Sequence, residues 1–316
     1  MATESSDRRA GGGGGPVSDL HPVARVTRVA LDRVVNPSRL SDQRQLRAAV
    51  AGKTVLVTGA SFGLGAATAR GLAEAGARVL LVARTAERLD EVVAEIEAAG
   101  GQAFAFAADL SDEAAVAALI KTIVERHGAP DVIVSNAGKS MRRSLHLQYD
   151  RFHDFERTIG VNYLGPVRLL LGLLPLMRER GTGQIVNIST IGVRIAPGPR
   201  WGAYQASKGA FDVWLRSVAP ELAADGVTVS TVYMALIYTR MSAPTPIMRM
   251  LPGLYPAEAA GIVARAIVRR PRAIQPWWVR PAEVGSAVLP GSTALFMRAW
   301  ARVTRDTDAA LGGGQS

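Results

Sequence analysis

No cysteine occurs among the 316 residues, and there are only four histidines. The missing thiols exclude a disulfide framework, a thiolate metal site and a cysteine nucleophile, and they fit a reducing, cytoplasmic setting. His146 and His153, seven apart, lack the further ligands a metal site needs. Asp150, Asp154 and Glu156 near them read as the polar face of a helix. Aromatic residues make up 6% and are not interleaved with the basic ones, so the sequence carries no signature of a nucleic-acid partner. Long hydrophobic runs are also missing. The longest, residues 169–177, contains Gly172 and Pro175 and falls well short of the roughly 20 apolar residues of a spanning helix. Residues 1–18 are polar, with five consecutive glycines, which predicts a disordered tail and not a secretory signal.

What is present is a hydrophobic share of 48% and a net charge of +10. The charge is concentrated at the ends, with eight Arg against five acidic residues in 1–50 and ten Arg against four in 240–316. Basic ends suit an anionic partner or plain solvation. Residues 284–300 are moderately apolar, contain Arg298 and are followed by Arg302 and Arg305. Such a stretch is either an interfacial helix giving peripheral membrane contact or an ordinary packing or oligomer surface.

Short apolar runs alternate with helical segments. Strands are expected at residues 53–58, 78–83, 103–107, 131–135, 184–189 and 227–232, separated by helices at 64–75, 86–99, 149–178 and 203–224. Ser111 is the expected N-cap of a further helix after the third strand. This order predicts an α/β, Rossmann-like doubly wound parallel sheet in a single domain, residues 51–280. An N-terminal extension (19–50) and a C-terminal extension (281–316) flank it. Ligands of such sheets bind beyond the carboxyl ends of the strands.

The chemistry-bearing residues cluster at those ends. Gly59, Gly63 and Gly65 follow the first strand at once, in a turn whose missing side chains let a pyrophosphate approach the backbone at a helix N-terminus. Arg84 ends the second strand, where an acidic residue would take a ribose hydroxyl. A guanidinium there suits a 2′-phosphate and so selects NADP(H), unless it is only a surface cation. Asp109 either binds the adenine amino group or caps the following helix, or does both. Tyr204 and Lys208, four apart on a helix, share one face, so the ammonium is placed to lower the phenol's pKa and make it a proton donor.

Thr58-Gly-Ala-Ser-Phe-Gly-Leu-Gly65, Asn136-Ala137-Gly138, Asn162, Ile188-Ser189-Thr190 and Tyr204-x-x-x-Lys208, in that order, resemble the short-chain dehydrogenase/reductase family over about residues 50–275. The resemblance implies Tyr204 as general acid, Lys208 on the nicotinamide ribose, and Asn162 holding a water in a proton relay. It also implies a substrate-orienting hydroxyl from Thr190 or Ser189. Cofactor contacts would come from Gly59, Ser61, Phe62, Gly63, Leu64 and Gly65, from Arg84, Asp109 and Leu110, and from Asn136, Ala137 and Gly138. Ile237 and Thr239 would meet the carboxamide, although Ala235 stands where relatives usually have proline. Helices 149–178 and 203–224 form dimer faces in that family, so a homodimer or homotetramer is implied.

Residues 136–143, 150–157 and 187–192, with Ala243-Pro-Thr245 and the helix start at 256–260, are similar to bacterial long-chain fatty acyl-CoA reductases of the same family. Those enzymes reduce an acyl thioester to an aldehyde with NADPH. On that reading Arg142 and Arg143 either contact CoA phosphates or are simply solvated, and residues 233–254 form a mobile lid over the acyl chain. The rival readings are a ketone or 3-oxoacyl reductase using the same residues, and a non-catalytic NADP-binding sensor or scaffold.

Overall fold

The computed structural model describes residues 35–243, 245 and 252–311. The expected tail at 1–18, residues 19–34 of the N-terminal extension and part of the expected lid lie outside the described residues.

Thr54–Thr58 form the first strand, β1, and all five residues are buried. That is the mark of a strand covered on both faces. Val55 and Val57 point into one core and Leu56 into the other, as the two-residue period of a strand requires. The parallel sheet adds β2 (Arg78–Ala83), β3 (Gln102–Ala107), β4 (Val132–Ser135), β5 (Gly183–Thr190), β6 (Val227–Met234) and β7 (Ala273–Ile274). Its order is β3-β2-β1-β4-β5-β6-β7. The strand order reverses between β1 and β4, which opens the crevice where a doubly wound sheet holds its ligand. The seventh strand has two residues, too few to leave a periodic signal in the sequence.

One face of the sheet is covered by α1 (Gln43–Val50), α2 (Gly63–Glu74), α3 (Ala86–Ala98) and α8 (Pro256–Arg269). Leu46 and Val50 of α1 are part of that core, so the end of the N-terminal extension packs as part of the domain. The other face is covered by α4 (Glu113–His127), α6 (Gly165–Glu179) and α7 (Gly202–Ala224), through residues such as Leu119, Leu173 and Phe211. Each such large apolar side chain, once buried, contributes roughly 1.5–3 kcal/mol before entropy is counted. Asp112, not Ser111, caps α4, because its carboxylate accepts from the Ala115 amide. Ser111 is turned instead toward Asp109.

The expected helix 149–178 is three pieces in continuous succession: α5 (Phe152–Ile159), a π-helical turn (Gly160–Leu164) and α6. Phe152–Glu179 is long and apolar enough to cross a bilayer by length and composition. Its apolar side, Leu169, Leu170, Leu173, Leu174 and Met177, is nonetheless packed on the sheet. Beyond β7 come α9 (Val279–Val288), α10 (Pro290–Val303) and α11 (Asp308–Leu311). The apolar stretch expected at 284–300 is thus broken at Leu289-Pro290 into two helices.

Candidate active site

The turn after β1 depends on glycine. Gly59 has φ +67°, and a Cβ there would lie 2.9 Å from the Ala137 Cα. A Cβ on Gly65 would lie 2.1 Å from the Gly59 carbonyl oxygen. Side chains are therefore excluded where the turn meets the end of β4. Phe62, at the N-cap of α2, makes no capping hydrogen bond with its side chain. The first amides of α2 thus meet an incoming anion without competition from that side chain. Leu64 is buried in the core beneath the turn and Ser61 is half-buried beside it.

Asn136-Ala137-Gly138 braces this turn from the side. The Asn136 side-chain amide donates to the carbonyls of Thr58 (2.9 Å) and Gly59 (3.3 Å). The Thr58 hydroxyl accepts from the amides of Asn136 (3.0 Å) and Ala137 (2.9 Å). Asn136 is thereby committed to holding β4 against the glycine turn. At Gly138 an added Cβ would lie 3.1 Å from Asn162 Oδ1 and 3.2 Å from Lys208 Nζ. This glycine keeps a narrow space between two of the sequence-predicted site residues.

Arg84 stands exposed at the end of β2. Burial alone would raise the pKa of nearby Asp109. The side-chain and backbone hydrogen bonds it accepts from Ser111 (2.7 and 2.9 Å), together with the Arg84 charge, hold its carboxyl below the usual range instead. Leu110 is a buried core residue whose carbonyl abuts Gly165 at the start of α6. The Phe62 ring lies under two guanidiniums, Arg88 at 5.6 Å and Arg240 at 4.2 Å. Thr239 reaches the same turn from the segment after β6, with its methyl 3.1 Å from a Cβ built on Gly63. Ile237 is held alongside by a bridge to Leu254.

Tyr204 lies in the first turn of α7 and Lys208 one turn later. The Thr190 hydroxyl, at the end of β5, accepts from the Gly192 amide at 3.2 Å and sits near enough to the phenol to stabilise its charged form. Ser189 is turned away, its hydroxyl buried without a hydrogen-bond partner among the described residues. Lys208 is buried and donates to the Ile188 carbonyl at 3.0 Å. The expected lowering of the phenol's pKa is reversed in the structure. Burial pushes it up to about 12, opposed by the Thr190 hydroxyl, while burial pushes Lys208 down to about 8. Desolvation disfavours the charged form of each group and so moves the two in opposite directions.

Asn162 sits in the π-helical turn and is fully buried. Its Oδ1 accepts from the Lys139 amide (2.8 Å), and its Nδ2 donates to the Lys139 carbonyl (2.9 Å) and to Ser207 Oγ (2.9 Å). The side chain is therefore taken up by protein partners and ties the loop after β4 to α7. Ser207 in turn donates to the Tyr204 carbonyl at 2.8 Å. This bridging hydroxyl was not singled out from the sequence, although it lies inside the Tyr204-to-Lys208 motif.

Arg142 and Arg143 each contact another part of the protein. Arg142 donates to the Arg305 carbonyl at 2.7 Å, and Arg143 pairs with buried Asp154 at 3.6 Å. These contacts join the loop after β4 to the C-terminal extension and to α5. His146 and His153 belong to no cluster of metal-binding groups among the described residues.

Residues 53–249 match the family model for short chain dehydrogenase. A fatty acyl-CoA reductase of Acinetobacter baylyi is 45% identical over 263 residues, which is 83% of this chain and 89% of that protein. The chain belongs to the short-chain dehydrogenase/reductase family. A fatty acyl-CoA reductase of Mycobacterium tuberculosis is 42% identical over 225 residues, covering 71% of this chain and 76% of that one. A metagenomic short-chain oxidoreductase solved in complex with NADP aligns with a TM-score of 0.61 at 35% identity, over 70% of this chain and 92% of its own. The short-chain dehydrogenase/reductase described here is accordingly an oxidoreductase. Its glycine turn, Tyr204, Lys208, Asn162 and Thr190 all lie at the carboxyl edge of the sheet or on the helices that follow.

Proposed function

We propose that this short-chain reductase uses NADPH to convert a long-chain acyl-CoA thioester to the fatty aldehyde. The observation that carries the chemistry is the closeness of Tyr204 to the Thr190 hydroxyl beside the glycine turn. The substrate reading is supported by the likeness to two fatty acyl-CoA reductases.

The residues fit the cofactor. A turn that a Cβ would fill at Gly59 and Gly65 leaves room for a pyrophosphate. Arg84 would take the 2′-phosphate, Asp109 the adenine, Lys208 the ribose, and Ile237 with Thr239 the carboxamide. When bound, NADPH supplies a hydride to the carbonyl carbon. Tyr204, with its pKa of about 12, is fully protonated at neutral pH and gives its proton to the carbonyl oxygen. Thr190 steadies the oxygen as negative charge develops on it. Collapse of the resulting hemithioacetal breaks the C–S bond, the hydroxyl proton passes to the departing sulfur, and CoA leaves as the free thiol with the aldehyde behind, so one hydride and one proton are consumed per thioester. Asn162 and Ser207 hold α7 and the loop after β4 in register, which keeps Tyr204 in position.

Leu171 on α6 and Val213 on α7 are exposed, which supports packing of a second copy on those helices. A substrate panel tests the function. NADPH with palmitoyl-CoA is expected to release free thiol faster than NADH does, and faster than any 3-oxoacyl substrate is reduced. Reduction of a ketone with no thiol release would sink the thioester reading.

A further inference from the structure

The helix α10 (Pro290–Val303) buries none of its residues among those described. At 100° per residue, Thr293, Met297 and Ala301 fall on one side, and these are the half-buried positions that face the domain. Leu295, Phe296, Ala299 and Val303 fall together on the opposite side, with Trp300 at the margin between the two. Of these, Leu295 is 67% exposed, Phe296 60% and Val303 74%. Phe296 and Trp300 stack with ring centres 6.3 Å apart, and Val288 and Leu289 at the preceding bend extend the apolar surface. Arg298 and Arg302 line one edge of this stripe. No acidic residue occurs anywhere from 284 to 305, although the chain as a whole carries 27.

The stripe has a fixed position. Arg200, on the loop between β5 and Tyr204, donates to the Ala301 carbonyl (3.3 Å) and to Thr304 Oγ1 (2.6 Å). Asp306 accepts from the Ser144 amide (2.8 Å) and hydroxyl (2.5 Å), and Glu283 pairs with Arg194 at 2.7 Å. The loops that follow β4 and β5 at the carboxyl edge of the sheet thus hold the consecutive helices α9 and α10 in place. The second of them, α10, presents an apolar, aromatic-containing and purely cationic face outward. A helix of 14 residues is about 21 Å long at 1.5 Å per residue, too short to span a bilayer. It is long enough to lie in the interface with its apolar side among the acyl chains.

We propose that α10 is a docking surface for an anionic lipid bilayer. The absence of any acid on α10 and the arginines along one rim give the charge complementarity. The stacked Phe296 and Trp300 give the interfacial aromatic anchor. Docked in this way, the carboxyl edge of the sheet faces the membrane surface, where long-chain amphiphiles reside.

Flotation of the purified full chain with vesicles tests this without substrate. Binding to mixed phosphatidylglycerol and phosphatidylcholine vesicles is expected to exceed binding to pure phosphatidylcholine vesicles on the order of a hundredfold. That figure takes each of Arg298, Arg302 and Arg305 near the surface as worth roughly fivefold, and added salt should erode it. The double variant L295E/V303E changes two exposed side chains and is expected to lose vesicle binding while keeping its melting temperature. R298Q/R302Q is expected to lose roughly 30-fold on the anionic vesicles alone. Wild-type protein that does not float overturns the proposal, and so does L295E/V303E that floats like wild type. A larger species in sedimentation that L295E/V303E lacks, with no flotation, also overturns it and assigns the face to a second copy of the chain.

Discussion

The hydroxyl of Thr190, not that of Ser189, sits near enough to the Tyr204 phenol to stabilise its charged form. The two neighbours end the same strand with opposite orientations, as the alternation of a strand requires. Ser189 is buried with its hydroxyl unpartnered among the described residues. Thr190→Val is therefore expected to lower kcat by roughly 10²–10³, the cost of one donor to a developing oxyanion, and Thr190→Ser to restore most of it. Ser189→Ala deletes a hydroxyl with no partner and should leave turnover close to wild type, with stability unchanged or raised by up to about 1 kcal/mol. Steady-state kinetics and chemical denaturation of the three variants check both halves.

Lys208 gives the cofactor-free protein a pH signature. Its pKa falls from 10.5 in an open chain to about 8 when buried. Between those values the unfolded chain binds more protons than the folded one, so stability rises with pH across that window. Below about pH 8 both states are protonated and the penalty for burying the ammonium is present in full. Melting temperatures measured from pH 7 to 10 should show a rising contribution that Lys208→Met removes.

Gly65→Ala places a methyl group 2.1 Å from the Gly59 carbonyl oxygen, and the obstruction is backbone, which yields poorly. A loss of roughly 1–3 kcal/mol in stability is expected from such overpacking, together with weakened nucleotide binding as the turn deforms. Denaturant titration and cofactor fluorescence measure the two effects separately.

Arg84→Ala should weaken NADPH binding by roughly 10- to 100-fold, the worth of a charge-assisted hydrogen bond of about 1.5–3 kcal/mol. NADH, which lacks the 2′-phosphate, should bind almost as before. Titration of both cofactors against wild type and variant gives the ratio directly.

The sheet and the glycine turn were legible in the sequence because both are local. A strand buried on both faces reads as an apolar run, and a turn that excludes Cβ atoms reads as Gly59, Gly63 and Gly65. Tyr204 and Lys208 were legible because four residues along a helix define one face. What escaped depends on partners far away in the chain. Arg142 looks like a solvent-facing cation until the Arg305 carbonyl is seen against it, and Ser144 has no evident use until Asp306 arrives. The π-helical turn around Asn162 inserts no recognisable residue type, so its segment reads as plain helix. The direction of the Tyr204 shift also required the structure, because spacing reveals the nearby lysine but not the burial that raises the phenol's pKa.

The most direct test of the account is a single incubation of wild type and Tyr204→Phe with NADPH and palmitoyl-CoA, following NADPH oxidation, free thiol and aldehyde together. The account predicts equimolar loss of NADPH and release of thiol for wild type, with aldehyde formed. For Tyr204→Phe it predicts a fall of roughly 10²–10⁴ in rate with NADPH still bound. Unchanged turnover in Tyr204→Phe, or NADPH oxidation by wild type without thiol, would contradict it.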